Sequence, residues 1–156
     1  METSLYLLIL MALAAGAASA IQAPINSQLA RGLNSEPLLA ALISFGSGTV
    51  LLLLLCLWRV NWQGAAPLLP QQPWWRFLGG TLGAGFVFTT VILAPRLGVT
   101  NMLFFIIVGQ LLTAMLIDHY GLLGMVARPV QIWQVLGVLV VALGLGLFFF
   151  GKRLFG

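Results

Sequence analysis

The feature that constrains this chain most is the length of its uncharged apolar runs. "TVLLLLLCLW" (49–58) and "VLVVALGLGLFFF" (138–150) carry no charge and do not alternate polar with apolar residues. A barrel strand in a membrane alternates over about ten residues. In hydrocarbon every backbone N–H and C=O needs an internal partner, so only helices and closed barrels span a bilayer. The absence of alternation selects helices. Composition agrees: 61% of residues are hydrophobic and 6% charged, with a mean hydropathy of +1.08, where a soluble domain is about a quarter charged. The chain reads as an all-α integral membrane protein, with the lipid bilayer as its solvent.

A crossing helix needs about 20 mainly apolar residues. Five stretches qualify, at residues 5–23, 37–58, 74–93, 100–118 and 132–150, giving one five-span domain over 1–156. Glu36-Pro37 places an acidic cap and a first-turn proline at the start of span two. "RVNWQGAAPLLPQQP" (59–73) reads as a polar, proline-rich loop bracketed by Trp58, Trp62, Trp74 and Trp75, an interfacial aromatic belt. "APRLGVT" reads as a tight turn between spans three and four, and "YGLLGMVARPV" links four to five. "ASA" (18–20) resembles a signal-peptidase site, but "METS" puts an acid where a signal peptide carries Lys or Arg, so the first span is expected to stay.

Lys and Arg set orientation. Arg59, Arg76 and Arg128 fall on the side of the N-terminus, and Arg31, Arg96, Lys152 and Arg153 on the other, three against four. Such a tie admits two readings: insertion in both orientations, or a real but small bias. Many transporters join two inverted repeats with the substrate at their interface. An odd span count makes sequential copies face opposite ways, yet no internal repeat is visible here. A dual-topology homodimer, two antiparallel copies, would supply the inverted half.

Small residues recur four apart: Ala12, Gly16 and Ala20; Ser44 and Gly48; Gly79 and Gly83; Gly80 and Ala84; Gly109 and Thr113; Ala142 and Gly146. This spacing lets helices approach closely in lipid. It does not separate contacts within a subunit from contacts between subunits.

Polar groups at membrane depth are costly and mark function by default, although amides and hydroxyls also serve as interhelical glue. If span one continues past Ala23, Ser19, Gln22 and Asn26 share a face, and Pro24 interrupts it with an expected kink. The stretch is either a cavity-facing site or an interfacial helix end. Gln110 lies near the middle of span four with Thr113 a turn on, as site or as glue. Asp118 and His119 close that span, either as a proton-handling pair, since imidazole titrates near neutrality, or as markers of the interface. Enzymatic motifs are absent: there is no H-E-x-x-H, G-x-S-x-G or phosphate-binding glycine loop, and one histidine in all. Cys56 permits no intramolecular disulfide and no metal spacing. The sparse net charge of +4 does not read as a nucleic-acid surface. No cofactor is expected.

Several segments together, "AIQAPINSQLARGL", "PLLAALISFGSGT", "APRLGVTN", "GQLLTAMLIDHYGLLG" and "RPV" before "LGVLVVALGLGL", resemble the YdcZ-like five-span family of the drug/metabolite transporter superfamily. The resemblance covers nearly the whole chain. It implies a bacterial inner-membrane protein acting as a homodimer, a heterologous pair or a fused ten-span chain, with inverted halves. It also implies export or exchange of small molecules by alternating access. The motif positions it carries over are Gln22, Asn26, Gln110, Asp118 and His119. The superfamily's four-span multidrug exporters couple protons through a glutamate in span one. Here that span holds no acid, which disfavours such antiport and favours a neutral or zwitterionic substrate. The competing expectation is a non-transporting subunit that scaffolds or regulates a partner membrane protein.

Overall fold

The computed structural model describes the backbone over residues 2–156 and side-chain burial over residues 5–151 and at residue 156; Lys152 and Arg153 lie outside the described side chains. The described residues form helices and no strand: α1 (Glu2–Gly32), α2 (Pro37–Arg59), α3 (Trp62–Ala65), α4 (Leu78–Leu97), α5 (Val99–Tyr120) and α6 (Ile132–Phe155). Five segments are long and apolar enough to cross a membrane: Leu5–Gly32, Pro37–Arg59, Trp74–Leu97, Val99–Tyr120 and Ile132–Gly151. The all-α membrane reading holds. Several boundaries do not.

The first helix does not stop near Ala23 but runs through Pro24 to Gly32. A proline costs a helix one hydrogen bond and crowds one carbonyl. Two of the polar residues that follow, Asn26 and Ser27, lie buried on a packed face with Ala23 and Ala30, while Gln28 is exposed. Likewise "APRLGVT" is not a turn throughout. Helix α4 continues through Pro95 to Leu97, and Gly98 alone breaks it, at φ +80°. The loop after α2 is largely helical, with α3 capped by Asn61 and 3-10 turns at Ala66–Gln71 and Trp74–Phe77. Glu36 stands at the N-cap of α2 before Pro37 as expected, but its side chain makes no capping hydrogen bond.

The chain divides into two compact units, Met1–Val99 and Thr100–Gly156. In the first, α1, α2 and α4 pack on one another around Ala30, Ala40, Ala41, Val87 and Val91, flanked by Leu29, Phe45, Phe86 and Phe88. Alanines at the contact let backbones close up where lipid offers no hydrophobic drive. One expected glycine takes part: a Cβ on Gly83 would lie 3.4 Å from the Phe45 ring. A Cβ on Gly16, Gly48, Gly79 or Gly80 would meet nothing within 4 Å in that unit. In the second unit, Phe104 meets Phe148 at 4.8 Å and Phe105 stacks on Phe149 at 5.2 Å, so the start of α5 lies beside the end of α6.

Candidate functional site

Two prolines organise the polar end of α1. Each lacks an N–H and so leaves the carbonyl four residues earlier without its helical donor. Pro95 does this to Val91 in α4. The vacancy is filled across the helix interface: Ser27 Oγ donates to the Val91 carbonyl at 3.1 Å and shares the same proton with Ala23 O at 2.9 Å. Pro24 frees Ala20 in α1 in the same way. Thr90, beside Val91 and also buried, turns its hydroxyl onto Val87 O at 2.8 Å.

Asn26 precedes Ser27 and is 4% exposed. Its Nδ2 is buried with no hydrogen-bond partner among the described residues. A buried donor left unpaired costs about 1–3 kcal/mol, so this amide is the most anomalous polar group described.

The remaining candidates on α1 grade outward: Ser19 is half-buried and Gln22 exposed, so the face sharing Asn26 is closed only toward its C-terminal end. In the second unit Gln110 and Thr113 are both exposed on α5. Asp118 is half-buried, and its backbone carbonyl takes the N–H of Arg128 at 2.6 Å. His119 Nδ1 accepts the N–H of Val130 at 3.0 Å, and its ring meets Tyr120 edge-on at 4.6 Å. Asp118 and His119 share no hydrogen bond, as expected of neighbours about 100° apart on a helix. Among the described residues no three His, Cys, Asp or Glu side chains gather to hold a metal ion.

Sequence reasoning passed over Ser27 and Thr90 as site members. The signal for Ser27 was conditional: Pro95 orphans the Val91 carbonyl only if the helix runs on past Leu93, and a buried hydroxyl elsewhere is then the natural donor. Which helix supplies it is a tertiary matter.

No curated protein and no solved structure matches the chain. Residues 7–147, reaching into all five membrane-length helices, match the family DMT_YdcZ, described as "Putative inner membrane exporter, YdcZ". With that match across most of its length, the chain is a multi-pass inner-membrane protein and belongs to the YdcZ family.

Proposed function

We propose that the protein exports a small neutral or zwitterionic molecule by alternating access, as a homodimer of two antiparallel copies. The observation that carries this reading is the Asn26 carboxamide, a buried donor with no partner among the described residues. A molecule with an oxygen acceptor would satisfy it, and the broken helical bonding at Pro24 leaves a carbonyl acceptor nearby in sequence. Gln22 and Ser19 extend the same helix face, and Gln110 with Thr113 offers further exposed polar groups on α5. The open faces at Gly16, Gly48, Gly79 and Gly80 are suited to a second copy. Proton handling by Asp118 and His119 enters as two separate groups.

The test is a thermal-shift screen of the purified protein against amino acids, sugars, nucleosides and cationic dyes, followed by proteoliposome flux of any hit. One class should stabilise the wild type, with the shift and the flux lost in Asn26→Leu and weakened in Gln22→Ala and Gln110→Ala. Intact ligand stabilisation and flux in all three variants would overturn the site. Stabilisation by no class would favour the non-transporting scaffold.

A further inference from the structure

The second unit holds a groove of whose lining the transport reading uses only His119. The backbone after α5 folds back onto the last turn of that helix through two hydrogen bonds, Arg128 N–H to Asp118 O and Val130 N–H to His119 Nδ1. An imidazole that accepts at Nδ1 carries its proton on Nε2 when neutral, so its other edge is a donor. Beside these contacts lies an open groove of about 440 Å³ lined by Leu112, Met115, Leu116, His119, Tyr120 and Val130. That size is within the range of small-molecule sites, about 300–1,000 Å³.

The lining has a direction. Leu112, Met115, Leu116 and His119 stand at i, i+3, i+4 and i+7, a single stripe on α5. It is apolar toward the middle of the membrane-length helix and ends at its C-terminus in a donor and an aromatic ring. Arg128 does not line the groove, but its backbone N–H on the Asp118 carbonyl puts a cationic residue on the segment at that end. It is exposed and has no carboxylate or ring partner among the described residues, whereas Arg59 lies 4.4 Å over Trp58 and Arg76 lies 5.4 Å over Trp75. Asp118 is the acid on the same turn, half-buried and without an ion pair among the described residues. An apolar groove along a membrane-length helix, ending at a donor with a cationic residue on the adjoining segment, matches one abundant class of molecule. Basic pockets at helix ends take lipid head groups by this chemistry.

We propose that this pocket binds a bilayer glycerophospholipid. One acyl chain lies along Leu112, Met115 and Leu116, and the phosphate is held by His119 Nε2–H and Arg128. The lipid would secure the α5–α6 connection in its folded-back form.

The experiment uses the delipidated full-length protein in neutral detergent. Its thermal unfolding is followed with added phosphatidylethanolamine or phosphatidylglycerol, with diacylglycerol of the same chains, and with inorganic phosphate. Both phospholipids should raise the Tm, and neither diacylglycerol nor inorganic phosphate should reproduce the shift. His119→Asn keeps an acceptor for Val130 near the Nδ1 position but has no group at the Nε2 position, its amide N–H2 lying closer to the backbone, and Arg128→Gln removes the cation. Each should lose most of the phospholipid shift, and Arg128→Lys should retain it. Equal stabilisation by diacylglycerol would show that the phosphate is not read and overturn the proposal. An equal shift from inorganic phosphate would reduce the site to an anion site, which also overturns it. If a variant does not fold, native mass spectrometry of the delipidated wild type with lipid added back decides: a one-to-one phospholipid adduct that diacylglycerol does not form supports the site, and no phospholipid adduct refutes it.

Discussion

At the scale of single residues, one serine and one proline on different helices behave as a pair. Pro95 removes the donor that Val91 O would have had, and Ser27 Oγ replaces it at 3.1 Å. Ser27→Ala therefore strands a buried carbonyl and should destabilise the protein by about 1–3 kcal/mol. In a Pro95→Ala background the helix supplies its own N–H, and the same change should cost much less. Thermal unfolding of the four proteins of this cycle reads the coupling, and purely additive costs would show that the hydroxyl does not serve Val91. Asn26 poses the opposite case. Asn26→Leu removes an unpaired buried donor, so stability should hold or rise even as ligand response disappears. A fall in Tm without ligand would instead mark the amide as interhelical glue.

Elements in this protein are joined by glycines used for different reasons. Gly121 ends α5 at φ +61°, and a Cβ there would sit 3.1 Å from both Ala127 Cβ and Met125 O. Left-handed backbone costs a non-glycine residue about 1–2 kcal/mol. Gly121→Ala should lose at least that much and expose residues 122–130 to limited proteolysis, since the turn that lets Val130 reach His119 would then be strained. Gly83 has ordinary helical geometry and a spatial role, with Phe45 lying across it. Gly83→Ile should overpack the α2–α4 contact, at a cost of about 1–3 kcal/mol, while Gly83→Ala asks only a small shift of one ring. At the start of α6 the Gln134 side chain returns to the Gln131 N–H at 2.9 Å, half of a capping box.

For the whole molecule the governing quantity is the balance of cations across the membrane. With Arg59, Arg76 and Arg128 against Arg31, Arg96, Lys152 and Arg153, orientation rests on a difference of one charge. Reporters at the C-terminus that are active only in the cytoplasm or only in the periplasm should both score in the wild type. Gln63→Lys with Gln71→Lys should move the population toward the orientation that keeps residues 59–77 cytoplasmic. A wild type scoring with one reporter alone would remove the antiparallel homodimer from the functional reading.

How much of this was legible before folding follows from what hydropathy can carry. The five crossings, the all-helical architecture and the near tie of charges are sums over local sequence, because a crossing helix satisfies its backbone within itself and needs only a sufficient run of apolar side chains. Those features the sequence determined by itself. Helix ends were less legible: Ala23 and Leu93 looked like boundaries because prolines and polar residues follow them, yet both helices continue. Side-chain roles were least legible. In a soluble helix an apolar stripe marks the buried face, but a helix apolar all round has no such stripe. That Asn26 is buried while Gln22, one turn earlier, is exposed could not be read from their spacing. That choice, and the reach of Ser27 to Val91, belonged to the tertiary structure, which alone decides which face of each helix meets another helix and which meets lipid.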